Sequence, residues 1–455
     1  VLRLTWVQPE DLIGHELRQA HQDGRRPTAV ERRWNAAGGP DAPPRAGASP
    51  RPASRYLRQL AEDLLDELAD LPSRLRDREP TDLVRIKALC PDWPTPAGRP
   101  GPPAELESRL HAAWLGRAVG CLLGKPVEKL PLTGIRQLAR AAGNWPLAAY
   151  FTARGVPQPL LDTHPWNRRS AGTSLAENID GMPEDDDLNY PLLNLLLLQR
   201  RTKGFTTTDV AGLWLDELPA GRAFTAERVA YRNLLTGIEP PHTARHRNPF
   251  REWIGALIRA DLHGWTHPGD PAAAAEQAHR DATLSHTANG VYAAMFTAAT
   301  IATAATGTAD IHTSLRTGLT VVPPGSRLAE AVRHAVQLAR YHEDFDTVVD
   351  ELHTRHAAYH WVHAIPNTAL IAAALTHADG DFPGAICRAV SGGWDTDSNG
   401  ATAGSVAALL AGAPAALPDH WTAPLKNRLA TSIADFDGSG FDTLAHLTFL
   451  EATRP

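Results

Sequence analysis

GGWDTDSNGATAGSVAALLAGA, residues 392–413, begins as a glycine-marked loop holding Asp395 and Asp397 and continues as the uncharged run Ser398–Ala413. A typical strand is only ~5–6 residues long, so a weakly polar run of this length rich in Ala and Leu reads as a buried helix. Working outward, the same arrangement recurs at GMPEDDDLNYPLLNLLLL, Gly181–Leu198, where Glu184, Asp185, Asp186 and Asp187 precede a run that is apolar almost all round. A third segment, GRAVGCLLGKPVE, Gly116–Glu128, repeats glycine every four residues. That spacing puts the glycines on one helix face and permits close backbone approach, and Pro126 stops the helix just before Glu128.

Further apolar segments of helical length occupy 105–123, 226–235, 251–262, 281–306, 326–341, 367–378 and 399–411, while β-branched alternation is limited to Leu319–Val322. The fold class is therefore all-α, with one large helical domain over 106–455. Residues 1–105 read as an extension. Within it Tyr56–Leu75 is an amphipathic helix with leucines three and four apart, flanked by the Pro/Gly-rich linkers 36–54 and 94–104. No fixed-period repeat indicates a solenoid.

Composition narrows the function. The 455 residues are 43% hydrophobic and 21% charged with a net charge of -6, which describes a soluble globular protein without the basic field that nucleic acid or an anionic bilayer selects. Val291–Asp310 is weakly charged but consists of Ala and Thr, so it reads as a buried helix rather than a membrane span. Cys90, Cys121 and Cys387 are odd in number and far apart, which fits a reducing cytoplasm and gives neither a disulfide framework nor a zinc motif. The first residues lack the apolar run of a secretory signal. Forty Arg against five Lys suggests a GC-rich bacterial coding sequence.

Two explanations cover the acid runs. Acids at a helix start cap free N–H groups and complement the helix dipole, whereas four in a row repel one another, a repulsion that a divalent cation removes. The residues alone leave both open. With oxygen donors only, a bound ion would be hard, Mg²⁺, Mn²⁺ or Ca²⁺. Asp395-Thr396-Asp397-Ser398-Asn399-Gly400 opens like an EF-hand loop, but the required Glu at position twelve is Val406. A P-loop at Gly124-Lys125 fails because Val119 and Pro126 stand where Gly and Ser/Thr are required. There is no GxSxG and no GxGxxG.

In that order, and within an all-α chain, GRAVGCLLGKPVE, PEDDDLNY and GGWDTDSNGATAGS resemble the ADP-ribosylglycohydrolase family, as do IGALIRADLHGW (254–265) and SHTANGVY (285–292). The resemblance covers about residues 106–450. It implies an all-α hydrolase with two divalent ions, Mg²⁺ or Mn²⁺, held by Glu184, Asp185, Asp186, Asp395, Asp397 and Ser398. Asp186 would be the base and Glu128 an active-site acid, while Trp265, His286 and Asn289 are candidates for the adenine and diphosphate. The implied partner is an ADP-ribosylated protein or a small ribosylated metabolite, with oligomeric state undetermined.

Three residues depart from the family pattern: Glu184 and Asp187 stand where it has threonines, and Cys121 where it has aspartate. These departures keep a rival reading in view, a non-catalytic ADP-ribose or nucleotide-binding protein on the same fold. A class I terpene synthase would need Asp at Asn189 and a second metal motif, and has neither.

Overall fold

Two helices meet along a seam of glycines in the computed structural model, which describes residues 4–43, 47, 49, 51–96 and 102–454. A methyl group on Gly116 would lie 2.3 Å from the Gly404 carbonyl oxygen, on Gly120 1.9 Å from that of Gly400, and on Gly124 2.2 Å from that of Thr396. The pairing runs in opposite directions along the two segments, so Pro103–Gly124 and Thr396–Ala411 are antiparallel and in backbone contact. Thr396 Oγ1 donates to the Gly124 carbonyl at 2.8 Å and closes the seam. The end of the first helix, with Lys125 and Glu128 just beyond it, is thereby set beside the start of the second, with Asp395 and Asp397.

The helix Asp186–Arg201 brings the other acid run to the same place. Its residues from Leu188 to Leu198 are buried, as an apolar surface on all sides requires. Arg117, fully buried on the glycine helix, donates from Nε to the Asp187 carbonyl at 2.7 Å and fixes the start of that helix against the seam.

Twenty-two α-helices and no strand are found among the described residues, so the all-α expectation holds. Four expected segments change. Residues 251–262 are a 3-10 turn over Ile254–Arg259 followed by the short helix Asp261–Trp265. Residues 281–306 split around a turn, leaving Ala288–Ala304 as a helix buried nearly throughout. Leu319–Val322 ends the helix Ile311–Thr320 instead of forming a strand. The amphipathic helix of the extension is Arg55–Asp70, ending short of Pro72, with its leucine stripe buried. Within the two linkers, 44–46, 48, 50 and 97–101 lie outside the described residues.

The first hundred residues share the hydrophobic core through Leu12, Ile13, Trp34, Leu64 and Leu68. Buried ion pairs join them to the rest of the chain, Glu16 and Asp23 to Arg251 at 2.6 and 2.7 Å, and Glu79 to Arg327 at 2.6 Å. None of the described helices is long and apolar enough to cross a membrane.

Candidate metal centre

Asp185 is the N-cap of its helix, its Oδ1 accepting the Asp187 N–H at 2.9 Å. Its other oxygen meets the ammonium of Lys125, which also donates to the Glu184 carbonyl at 3.2 Å. Burial alone would raise this carboxyl, but the Lys125 charge and hydrogen bond outweigh it and hold Asp185 below the ordinary aspartate value. Burial, reinforced by Asp185 and Asp187, pushes the Cys121 thiol well upward. Glu184 is engaged on both oxygens, by Arg222 at 2.6 Å and Asn189 at 3.3 Å. Asp187 pairs with Arg117 at 3.1 Å and accepts from Ser398 Oγ at 3.2 Å, a contact that joins the two acid runs directly.

On the other side of the seam, the turn at Gly393 and Trp394 has positive φ at both residues, 80° and 58°, and Trp394 is steadied by stacking on His353 at 4.1 Å. The strained turn delivers Asp395, whose N–H donates to Asn367 Oδ1 at 3.2 Å. Asn367 is itself fixed, donating to the Trp361 and His363 carbonyls and accepting from Asn399. Glu128 accepts from Asn167 at 2.6 Å and pairs with Lys129 at 2.8 Å. Oxygens of Glu128, Asp395 and Asp397 lie within 4.8 Å of one another.

Cations are unevenly shared. Glu128, Glu184, Asp185 and Asp187 each touch one, whereas among the described residues no cationic side chain contacts Asp186, Asp395 or Asp397. Desolvation, then the charges of Asp185, Asp397 and Glu128, raises Asp186 well above the ordinary value. Desolvation and Asp397 do the same to Asp395, and Asp187 also rises, through burial and Asp185. Asp397 is pushed up to about 7, by burial first and Glu128 second. Two helix N-termini, those of Asp186–Arg201 and Thr396–Ala411, face this group and offset part of its charge.

Of the positions expected from sequence, Asp185, Asp186, Asp395, Asp397, Ser398, Glu128 and Glu184 gather here. Trp265, His286 and Asn289 are corrected to interior roles. Trp265 is fully buried against Trp114, ring centroids 4.8 Å apart. His286 is fully buried beside Ser285 at 2.8 Å. Asn289, also fully buried, donates to Glu79 and Glu252 at 2.8 and 2.9 Å. None offers a face to a nucleotide. Sequence reading missed Lys125, Arg117 and Asn367, although a lysine closing a glycine ladder beside an acid run was a usable signal.

The ADP-ribosylglycohydrolase family model matches residues 102–451, and the chain belongs to the ADP-ribosylglycohydrolase family. A solved structure described as an ADP-ribosylglycohydrolase-related protein complex is similar to it at 21% identity with a TM-score of 0.49, over 77% of this chain and 100% of that one. No curated protein matches. The donors suit one hard divalent ion well, since Asp186, Asp395, Asp397, Glu128 and the Ser398 hydroxyl are all oxygen ligands. Side-chain atoms of Cys121, Asp185 and Asp187 also lie within 4.8 Å of one another, but these residues suit a second ion less well, because Asp185 already holds an ammonium and Asp187 a guanidinium.

Proposed function

We propose that this chain is a metal-dependent glycohydrolase that cleaves a ribosyl C1–N or C1–O bond, most simply releasing ADP-ribose from a modified protein or a small acceptor. One observation carries the reading. In a member of this family, oxygens of Glu128, Asp395 and Asp397 lie within 4.8 Å of one another beside the helix start that carries half-buried Asp186, and among the described residues no cationic side chain contacts Asp186, Asp395 or Asp397. Three carboxylates held so close are costly to ionise, and a divalent cation supplies charge beyond that of Lys129 on Glu128. Bound there by Asp186, Asp395, Asp397 and Ser398, it would lower the pKa of a coordinated water and hold a ribose diol.

The chain's own residues do the rest. Cleavage proceeds through an oxocarbenium-like transition state. The water oxygen bonds to C1 as the bond to the acceptor nitrogen or oxygen breaks, one water proton goes to a carboxylate, and the leaving group takes up a proton from solvent, to which the carboxylate later returns its own. Asp186, half-buried and lacking a cationic partner, serves as the base. Glu128, oriented by Asn167 and Lys129 at the rim, positions the ribose. A product-release screen with the metal-loaded protein on ADP-ribosylated Arg, Ser and Asn peptides and on ribosyl conjugates tests the reading. Free ADP-ribose or another sugar product supports it. Tight ADP-ribose binding with no release from any substrate leaves the binding-protein alternative in its place.

A further inference from the structure

We propose that the Lys125 ammonium is a built-in second cation, and that this chain therefore binds a single divalent ion where the family pattern implies two. The inference rests on the acid group being a metal site. Lys125 immediately follows the last seam glycine, and its side chain is directed inward, only 6% of the residue remaining exposed. Its ammonium contacts one Asp185 oxygen and the Glu184 carbonyl, while the helix N-cap bond takes the other Asp185 oxygen. Asp185 is thus left with no oxygen free of a protein partner.

The neighbouring positions tell the same story. Cys121 contributes no carboxylate where the resemblance has an aspartate, and Asp187 is committed to Arg117 and Ser398. Glu184 is committed to Arg222 and Asn189. A second divalent ion among Cys121, Asp185 and Asp187, whose side-chain atoms also lie within 4.8 Å of one another, would face a fixed ammonium and a guanidinium, whereas among the described residues no cationic side chain contacts Asp186, Asp395 or Asp397. One divalent ion balances two of those charges and leaves one carboxylate to accept a proton. The absence of a carboxylate at Cys121 and the presence of the Lys125 ammonium act in the same direction, because each lowers the demand for a second ion.

Titration of the metal-free protein with Mn²⁺, followed by metal analysis and electron paramagnetic resonance, tests this without reference to activity. The expected result is saturation at one equivalent with the six-line spectrum of an isolated ion. Lys125→Gln should take up a second equivalent and show the broadened spectrum of two coupled ions ~4 Å apart, and Lys125→Arg should stay at one. Two coupled ions in the wild type overturn the inference while leaving the metal site intact. So does a folded Lys125→Gln that still saturates at one. No Mn²⁺ bound by the wild type overturns the metal reading itself. Should Lys125→Gln fail to fold, the wild-type stoichiometry decides.

Discussion

Two buried acid groups in this molecule are treated in opposite ways. Where the first hundred residues meet the rest of the chain, four buried carboxylates touch guanidinium groups: Glu16 and Asp23 on Arg251, Glu79 and Glu252 on Arg327. Burial alone would raise Glu252, yet Arg327 and His363 prevail and depress it to about 2. At the candidate metal centre Asp186, Asp395 and Asp397 have no such partner, and Asp397 rises to about 7. Both groups are buried and both are rich in acids, so neither property marks a functional site. The missing counter-charge does.

The comparison can be broken most forcefully at its balanced end. Arg327→Met leaves Glu79 and Glu252 buried without their guanidinium and should cost ~3–5 kcal/mol in chemical denaturation; a loss below ~1 kcal/mol would mean that the pairs there are not the tie described. Gly120→Ala comes next. Its methyl group would overlap the Gly400 carbonyl, forcing the helices apart for a loss of ~1–3 kcal/mol, and metal affinity measured by calorimetry should fall with it.

The unbalanced end should respond with the opposite sign. Asp397→Asn removes a charge that burial disfavours, so in chelator at pH 8 it should stabilise the protein by ~1–3 kcal/mol while abolishing turnover and shrinking the metal-induced rise in Tm. The pH dependence sharpens this. A folded value of about 7 against an ordinary 3.8 means that the native state binds this proton more tightly than the unfolded chain. Its contribution is therefore most favourable below pH 3.8 and is lost as pH rises through 7. Glu252, depressed to about 2, contributes stability above its ordinary 4.5 that disappears as pH falls toward 2. The advantage of metal-free Asp397→Asn over wild type should accordingly grow between pH 5 and 8, and a flat difference would refute the assignment. The smallest effect is expected from Glu184→Thr, whose partner Arg222 is half-exposed. The change should stay below ~1 kcal/mol, with metal affinity within tenfold of wild type, since both Glu184 oxygens are already engaged.

Local pattern made the helices and both acid runs legible, because periodicity and a Gly or Asp at a helix start are written in consecutive residues. The glycine ladder at 116, 120 and 124 announced a close approach, and Gly400 and Gly404 supply its counterpart. What no local pattern carries is the choice of partner. That Arg117 reaches Asp187 and Asp261, or that Lys125 closes on Asp185, depends on helices far apart in the chain being side by side. Residue type and motif position single out Trp265, His286 and Asn289, and neither distinguishes a ligand-facing side chain from one filling the core. The break within residues 251–265 escaped for a related reason: hydrophobicity fits a 3-10 turn as well as a regular helix.

The seam also sets an order of events during synthesis. Gly116 to Gly124 emerge from the ribosome well before Gly400 and Gly404, and the acid run at 184–187 lies between them. Until the later helix is made, Glu128 and Asp186 have no Asp395 or Asp397 beside them, and the long first helix has no partner for its glycine face. A pairing this distant along the chain is slow to form and leaves apolar surface exposed meanwhile. The candidate metal centre is therefore incomplete until residues 395–404 have left the exit tunnel, and a ribosome stalled before that point would hold an aggregation-prone intermediate.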